Sequence, residues 1–375
     1  MLKINLFLLL FLFVLSNIKA QNIVTYTDQL GYFWVFDNGS LQSIEHQQVK
    51  NVQTGDDYVI YLDILNQMVF FHKGKKKVLQ FSALPNFWLA KRNLLIDWSQ
   101  GGLKVFDRQG KRNTIALGNI VPYALGDDMS ELSLGRDIPY ASGDSIAAFV
   151  DYDRFLKAYY KGETNEITRE PVTNFSVGDN TVGYTVSSDA FYVYFNGVAT
   201  QVVNTSPTEY QVGNNFAVYV TPYNEFGVFD AGSIIQLDFA KPKSFAAGNN
   251  IVAYVTPQGF FKVYENGDEQ ELSPVPPRSY QIIDNTLIYT DDMGNFNVYY
   301  KGKNTVLESY QPTKVAFFEG VVAYTDNYGQ LKGFYEGKPV TIAKEVVIDF
   351  KVQGRTVLYQ ASNRDFHVYW NGNTY

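Results

Sequence analysis

A segment of the form F-x-V-Y-x-x-G recurs ten times along this chain of 375 residues, and it limits the chain to a repeat architecture. The clearest copy runs from Phe261 to Gly267. Most copies lie 35 residues apart, and an aromatic residue precedes the glycine by three positions in nine of them. The repeat glycines are Gly39, Gly74, Gly110, Gly162, Gly197, Gly232, Gly267, Gly302, Gly337 and Gly372. A period of about 20 to 50 residues indicates that each copy is one supersecondary unit stacked on its neighbours.

Each copy is composed of four short segments rich in β-formers, separated by turns. In residues 242–272 the second and third segments, 251–256 and 260–264, alternate in hydropathy, and Asn and Gly between segments suit the positive φ of tight hairpins. The second segment has its own aromatic, Tyr254, thirteen residues before Gly267. Because alternate side chains of a strand point to opposite faces, both faces of the sheet are apolar. Such a sheet must be sandwiched between others.

The turn between the first and second segments also repeats. Its members are Gly178-Asp179-Asn180, Gly213-Asn214-Asn215, Gly248-Asn249-Asn250, Asp284-Asn285 and Glu319-Gly320. Four antiparallel strands per copy, with no segment of helical period, predict an all-β fold, a β-propeller of about ten short four-stranded blades.

A family resemblance agrees with this prediction. The cadence A-Y-x-D at Ala323 to Asp326, with G-x-F-x-V-Y-x-x-G at Gly294 to Gly302, resembles the WD40-like and TolB-type propeller repeats and, more loosely, the tryptophan-glycine repeats of bacterial proteins. The resemblance covers residues 23 to 375, but the chain lacks the Gly-His and Trp-Asp dipeptides of WD40 blades and the Ser-Pro-Asp-Gly turn of TolB blades. It implies architecture only, because propellers include enzymes, receptors and scaffolds.

Ten copies exceed the four to eight blades that are usual for a propeller. One large ring, two smaller rings and an open stack are all compatible with this number. No linker interrupts the copies that end at Gly162, Gly197 and Gly232, so we expect a single ring. The first copy begins at its second strand, near Ile23, and the last ends at Tyr375 without its fourth. We therefore expect ring closure to depend on pairing of the termini.

The first twenty residues read as a signal peptide, so the repeat domain spans 21–375. Lys3 precedes an apolar run from Leu6 to Leu15, and small Ala20 precedes Gln21. The run is too short to cross a bilayer, which needs about 20 residues, and no longer one follows. The chain has no cysteine, which excludes disulfides and thiolate sites. These features predict an exported protein in the periplasm or at the cell surface of a bacterium.

The charge argues against nucleic-acid binding. The net charge is −7, and loss of Lys3 and Lys19 with the signal peptide lowers it by two, to −9. The longest basic cluster is Lys73 to Lys77, at an expected hairpin tip. Neutralising phosphates requires a basic face, which this sequence does not predict.

No catalytic or cofactor motif is legible in the sequence. The three histidines, His46, His72 and His367, fall in different copies, and no serine has the context of a nucleophile elbow. Aspartates recur where the second strand enters its turn, and Asp291-Asp292-Met293-Gly294-Asn295 does not match the calcium-loop template. We expect these aspartates to stabilise turns. Aromatic faces can stack on sugar rings, and four tryptophans lie outside the shared aromatic positions: Trp34, Trp88, Trp98 and Trp370. The sequence is therefore compatible with a glycan-binding site.

One insertion, residues 128–143, departs from the repeat. Its flanks look duplicated, since Ile120 to Asp127 is echoed by Asp137 to Asp144. Binding residues concentrate in loops on rigid scaffolds. The candidate binding residues are therefore Asp127, Asp128, Glu131, Arg136 and Asp137, and the alternative is a neutral surface loop.

The sequence favours an exported, non-catalytic β-propeller that binds a protein or cell-envelope ligand through loops on one face. The alternative is a propeller that binds or processes glycans. The polar residues do not converge along the chain, although a site assembled at the ring centre from several blades is compatible with the sequence.

The insertion provides the first test. We expect deletion of Asp128 to Arg136 to leave the fold intact, because the repeats on either side are complete without it. Far-UV circular dichroism and thermal unfolding of the variant check this expectation. Wholesale unfolding would show that the segment is structural.

Overall fold

The structure is a computed structural model that describes residues 22–84, 86–99, 101–107, 110–125, 127 and 137–375. All regular secondary structure in these residues is β-strand. Among them there is no helix long and apolar enough to span a membrane.

The described strands form ten blades, numbered here in chain order. The strands of blades 1 to 5 are, in blade 1, β1 Ile23–Thr27, β2 Phe33–Asp37 and β3 Ser40–Glu45; in blade 2, β4 Lys50–Thr54, β5 Tyr58–Leu62, β6 Met68–His72 and β7 Lys75–Gln80; in blade 3, β8 Trp88–Ala90, β9 Leu95–Asp97, β10 Gly102–Phe106 and β11 Arg112–Leu117; in blade 4, β12 Asn119–Pro122, β13 Asp137–Ser142, β14 Ile146–Val150, β15 Leu156–Tyr160 and β16 Glu163–Glu166; and in blade 5, β17 Val172–Val177, β18 Thr181–Val186, β19 Phe191–Phe195 and β20 Val198–Val203.

The strands of blades 6 to 10 are, in blade 6, β21 Glu209–Val212, β22 Phe216–Val220, β23 Phe226–Asp230 and β24 Ser233–Asp238; in blade 7, β25 Ser244–Ala247, β26 Ile251–Val255, β27 Phe261–Glu265 and β28 Asp268–Ser273; in blade 8, β29 Ser279–Ile283, β30 Thr286–Thr290, β31 Phe296–Tyr300 and β32 Lys303–Glu308; in blade 9, β33 Val315–Phe318, β34 Val321–Thr325, β35 Gln330–Tyr335 and β36 Lys338–Gln353; and in blade 10, β37 Thr356–Ala361, β38 Phe366–Trp370 and β39 Asn373–Thr374.

Within a blade, consecutive strands pair antiparallel, as the repeat predicts. Blades 9 and 10 share β36, which pairs with β35 up to Val346 and with β37 from Val347. Blade 4 has a fifth strand, because β12 pairs in parallel with the edge of β13 that does not face β14. Blade 1 has three described strands, and its β1 occupies the second-strand position. Blade 1 therefore begins at its second strand, as the sequence predicts, and the expectation of four strands per blade is wrong for blade 4.

The repeated aromatics pack between blades. A phenylalanine at the start of the third strand contacts the second-strand tyrosine of the next blade, as Phe261 does with Tyr289, their ring centroids 5.2 Å apart. The same pairing joins Phe33 with Tyr61, Phe191 with Tyr219, Phe226 with Tyr254, and Phe296 with Tyr324. Both faces of each blade are thus covered, which confirms the expectation of sandwiched sheets.

The apolar clusters link the blades into one cycle. Among the described residues, each blade shares a buried cluster with the next along the chain. A further cluster joins blade 1 to blade 10 through Val24, Phe36, Leu358 and Val368. The first and last blades are therefore joined by side-chain packing, and β1 pairs with β2 alone among the described strands. The last blade also has a short fourth strand, β39, which the sequence reading omitted.

The repeat glycine lies in the turn between the third and fourth strands. Asn266 and Gly267 both have positive φ, 51° and 93°, as the mirror-image two-residue hairpin requires. The residue before the glycine has positive φ in eight other copies as well, at Asn38, Lys73, Lys161, Asn196, Ala231, Lys301, Glu336 and Asn371. The turn therefore explains why glycine is the most regular residue of the repeat.

The turns between first and second strands, here called the first turns, meet one another at the centre of the ring. They are residues 55–57, 91–94, 143–145, 178–180, 213–215, 248–250, 284–285, 319–320 and 354–355. Successive turns contact backbone to backbone: a Cβ added to Gly178 would lie 2.2 Å from the carbonyl oxygen of Gly213, and one added to Gly213 would lie 2.1 Å from that of Gly248. Only glycine fits at such a distance.

The antiparallel order divides the other connections between two ends of the ring. The first and third turns lie at one end, here called the turn face. The second turns and the connections between blades lie at the other end, here called the loop face. This division positions the surfaces described below.

Replacement of Gly213 by alanine tests the packing of the first turns. The new methyl group would meet a backbone oxygen at 2.1 Å, so we expect a loss of about 1–3 kcal/mol in the free energy of unfolding. Gly102→Ala is the matched control, because its Cβ would lie 3.1 Å from the carbonyl oxygen of Ala116. Urea denaturation compares the two, and equal stabilities would contradict the close approach.

Candidate functional site

The first turns assemble a charged cluster around Arg92, which belongs to blade 3. Its Nε lies 2.9 Å from Asp56 Oδ1 of blade 2, and its Nη2 lies 2.6 Å from Glu319 Oε1 of blade 9. Asp144 of blade 4 and Asp284 of blade 8 follow at 3.6 and 4.0 Å. One guanidinium therefore contacts carboxylates from four other blades, across the centre of the ring.

Hydrogen bonds connect the first turns of blades 5, 6 and 7 to this cluster. Asn249 donates from its side-chain amide to Asp179 and to Asp284. The Asn249 backbone amide also donates to the Asp284 carbonyl, at 2.7 Å. Asn214 donates its backbone amide to Asn249 Oδ1 at 2.9 Å. These bonds tie blades 5, 6, 7 and 8 together at the axis.

Burial and crowding of like charges shift the pKa values in the cluster. Burial, then the charge of Asp179, raises the pKa of Asp144 to about 7. Burial also raises the pKa values of Asp179, Asp284 and Glu319. Although burial opposes it, the charges of Glu319 and Asp56 raise the pKa of Arg92. The carboxylates outnumber the cations, so the cluster is electronegative.

A cavity of about 330 Å³ opens beside the cluster. Lys91, Arg92, Asp144, Asp179 and Asn249 are among its lining residues. No group of three or more histidine and carboxylate side chains in the described ranges could hold a metal ion. The contacts instead show a cluster that holds the first turns together.

The sequence reading missed Arg92. It recognised the first-turn motif in blades 5 to 9, but the turn of blade 3, Lys91 to Asn93, has neither the glycine nor the acidic residue of that motif. Alignment of Ile96 with Tyr254 would have placed Arg92 at the turn position of Asn250. Its partners come from blades 2, 4, 8 and 9, and their convergence depends on ring closure.

The insertion residues are only partly described. Asp127 accepts a hydrogen bond from the Ala124 amide at 2.8 Å, and Asp137 accepts one from the Asn119 side chain at 2.6 Å. Asp128, Glu131 and Arg136 lie outside the described residues. The structure does not bring Asp127 and Asp137 into contact with the Arg92 cluster. Their role in binding stays a prediction.

The recurring aspartates stabilise the second turns, as expected. Asp326 Oδ1 accepts from the backbone amides of Tyr328 and Gln330, both at 2.9 Å. Asp28, Asp63 and Asp151 accept two amides in the same way. Although burial opposes it, these backbone hydrogen bonds lower the pKa of Asp326. The prediction of Asx-type turns is confirmed.

The histidines and tryptophans are engaged in packing. His72 lies 3.2 Å from Asp57, His46 meets Tyr32 edge to face, and His367 stacks on Tyr359. Trp88 is buried, Trp34 donates to Asp28, Trp98 packs on Tyr140, and Trp370 packs on Phe36. These tryptophans therefore help to hold their own and adjacent blades.

The loop face has the most exposed apolar side chains. Every large apolar residue of the described ranges that is more than two-thirds exposed lies at this end of a blade. They are Leu30 77%, Leu65 68%, Phe81 73%, Leu117 71%, Tyr223 73%, Phe239 82%, Met293 76% and Tyr328 82%. At the turn face, the glycine of each third turn is preceded in most blades by asparagine or lysine.

A family model for a ten-bladed β-propeller domain matches residues 17–375. The chain belongs to this ten-bladed β-propeller family. The match covers all ten blades, so the predicted propeller and its ten repeats are confirmed. A comparison with curated proteins gives no match.

Several solved structures resemble this ten-bladed propeller at low identity. The computationally designed protein Ika8 is 15% identical over 76% of this chain and 96% of its own, with a TM-score of 0.34. BamB from Moraxella catarrhalis is 9% identical over 86% and 94%, with a TM-score of 0.30. PorZ of Porphyromonas gingivalis, a bacterial surface component of the type-IX secretion system, is 9% identical over 95% and 58%, with a TM-score of 0.24.

The raised pKa of Asp144 predicts how stability changes with pH. The folded protein retains a proton there up to about pH 7, whereas the unfolded chain releases it near 3.8. The resulting stability is present below pH 4 and is lost as the pH rises through 7. We expect Asp144→Asn to remove this loss, so that its stability advantage over the native protein grows from pH 4 upward and reaches about 1–3 kcal/mol at pH 8.

Urea denaturation at intervals across this pH range measures the difference. Asp153→Asn is the control, because that side chain is exposed in a second turn. If Asp144→Asn and the native protein showed the same pH dependence, the raised pKa of Asp144 would be contradicted.

Proposed function

We propose that this protein is an exported, non-catalytic β-propeller that binds a protein or cell-envelope ligand through its loop face. The supporting observation is the segregation of highly exposed apolar side chains to that face. Exposed apolar groups clustered at one end of a fold are typical of interaction surfaces.

Hydrogen bonds join part of the loop face into one continuous arc. The Val347 amide donates to the Gly329 carbonyl at 3.0 Å, and the Ser362 amide donates to the Val346 carbonyl at 3.0 Å. The Gln29 side chain then reaches the Arg364 carbonyl at 3.3 Å. The arc runs from the second turn of blade 9, with Tyr328, through blade 10 to blade 1, with Leu30. Blade 2 adds Leu65.

The composition of this face favours a protein partner. Cations such as Arg278 and Lys314 alternate with the carboxylates of the second turns, so the face lacks the basic excess that attracts an anionic membrane. A mixed, aromatic-containing surface is typical of protein interfaces. Export is supported by the predicted signal peptide, residues 1–20, which lies outside the described residues.

Charge introduced on the arc tests the proposal. We expect Leu65→Glu combined with Tyr328→Glu to lower recovery of the partner about tenfold or more, because carboxylates would be desolvated at an apolar contact. Val198→Glu is the matched control, since Val198 is 63% exposed on β20, away from the arc. Affinity capture from envelope extract with quantitative mass spectrometry measures the recovery, and thermal unfolding verifies the fold of each variant.

Two results would overturn the proposal. One is equal recovery of the partner by the loop-face variant and by Val198→Glu. The other is a clear hit on a glycan array together with no protein recovered from the extract.

A further inference from the structure

Among the described residues, blade 1 has no counterpart of the first strand, which the other blades place nearest the axis. Its first described strand, β1, aligns with the second strand of the repeat. The comparison with blade 6 is direct, because Ile23, Thr25 and Thr27 correspond to residues 216, 218 and 220 there. In blade 6 those three residues pair with the first strand, β21, or its flanking turn. In blade 1 no described strand takes that place.

The hydrogen-bonding groups of β1 alternate between two sides. The Asp28 amide donates to the Tyr32 carbonyl and the Asn22 carbonyl accepts from the Asn38 amide, so the even-numbered residues face β2. Since the amide and carbonyl of one residue in an antiparallel strand point the same way, those of Thr25 face the opposite side. There the Thr25 carbonyl accepts from Lys351 Nζ of blade 10, at 3.0 Å. A side chain thus occupies part of the place where a strand pairs in other blades.

A cavity of about 260 Å³ lies along this edge. Thr25 and Thr27 line one side, and Lys351, Leu358 and Phe366 of blade 10 line another. In the equivalent cavity between blades 8 and 9, the next blade contributes its first strand instead, through Val315. The cavity beside β1 therefore marks the position that a first strand takes in other blades and that no described strand takes in blade 1.

The position is bounded at the turn face and continues toward the loop face. Gln353 of blade 10 hydrogen-bonds Thr54 of blade 2, which joins the first turns on either side of blade 1. At the other end, Thr27 leads directly into the second turn that carries Leu30. A segment entering this position would therefore arrive from the apolar arc.

We propose that the edge of β1 binds an extended segment of a protein partner, which completes blade 1 as its first strand. This inference rests on the proposed function of the loop face and names the mode of binding. Extended peptides add to open sheet edges through main-chain hydrogen bonds, while pockets for alternate side chains select the sequence. The Lys351 ammonium is displaced from the Thr25 carbonyl by the incoming amide and pairs with an acidic side chain of the segment. The partner is thus an extended segment with apolar residues and a carboxylate.

The chain itself provides a probe of this chemistry. A synthetic peptide copying Pro207 to Gly213, the first strand of blade 6, contains Glu209 and has the right length. In blade 6, Gln211 pairs with Val218, the residue aligned with Thr25. The peptide is therefore expected to place its Gln211 amide against Thr25 and its Tyr210 amide away from β1. Fluorescence anisotropy with the purified protein gives its dissociation constant.

Backbone methylation of the peptide separates strand addition from other binding. N-methylation at Gln211 removes a donor that faces β1, and we expect affinity to fall about tenfold or more. N-methylation at Tyr210 is the matched control and is expected to preserve affinity. A peptide with lysine in place of Glu209 is expected to bind several-fold more weakly, because Lys351 repels it.

A pair of protein variants makes the same test from the other side. Thr25→Pro removes the amide that faces the cavity without breaking a β1–β2 hydrogen bond, and proline is tolerated at such edges. Thr25→Val keeps the amide and the branched shape. We expect Thr25→Pro to lose peptide binding and Thr25→Val to retain it. The methylated peptides are tested on the native protein. If Thr25→Pro is unstable, they therefore decide alone whether the peptide pairs as a strand with β1.

The outcomes distinguish this inference from the proposed function. Strand addition is overturned if the unmodified peptide shows no binding up to about 1 mM, or if both methylated peptides bind equally. It is also overturned if the native partner depends on Leu65 and Tyr328 but binds folded Thr25→Pro unchanged; that result leaves the loop face as the binding surface. Loss of the partner in Thr25→Pro, with retention in Thr25→Val, supports both.

Discussion

The close contact of first turns at the axis is the constraint on which the rest of the ring depends. Gly178, Gly213 and Gly248 bring backbone against backbone, and Arg92 draws in carboxylates from four blades. The chain has no cysteine, so its ring is held by packing and these polar contacts alone. An ion pair removed from water contributes little net stability, but an unpaired member costs several kcal/mol, about 3–5 in other proteins. The cluster therefore favours the arrangement in which all its members meet.

This arrangement gives the two ends of the ring different properties. At the turn face, the first turns satisfy one another and the third turns are tight two-residue hairpins, as at Asn266 and Gly267. At the loop face, the second turns are fixed from within by aspartates such as Asp326, and their tips are free to vary. Exposed side chains such as Tyr328 do not contribute to the interblade cores. A rigid base with variable tips is the usual basis of a binding surface.

The sequence was sufficient for features that repeat. Phe261, Tyr254 and Gly267 have the same environment in most blades, so periodicity alone predicts sandwiched sheets and tight turns. It was insufficient for features that depend on closure of the ring. Arg92 meets Glu319, 227 positions away, and no spacing along the chain indicates that contact. The parallel pairing of β12 with β13 was also not predicted. The duplicated flanks from Ile120 and Ile138 were visible in the sequence, but their likeness did not indicate that the two segments pair with each other.

Amide hydrogen exchange in the free protein tests this account most directly, because it compares two aligned positions in one molecule. Val218 and Thr25 are both buried, at 0% and 6% exposure, but among the described strands only Val218 has a partner on the axial side. We predict that the Thr25 amide exchanges orders of magnitude faster than the Val218 amide. Equal protection of the two would show that blade 1 already has its first strand, and it would contradict the open edge.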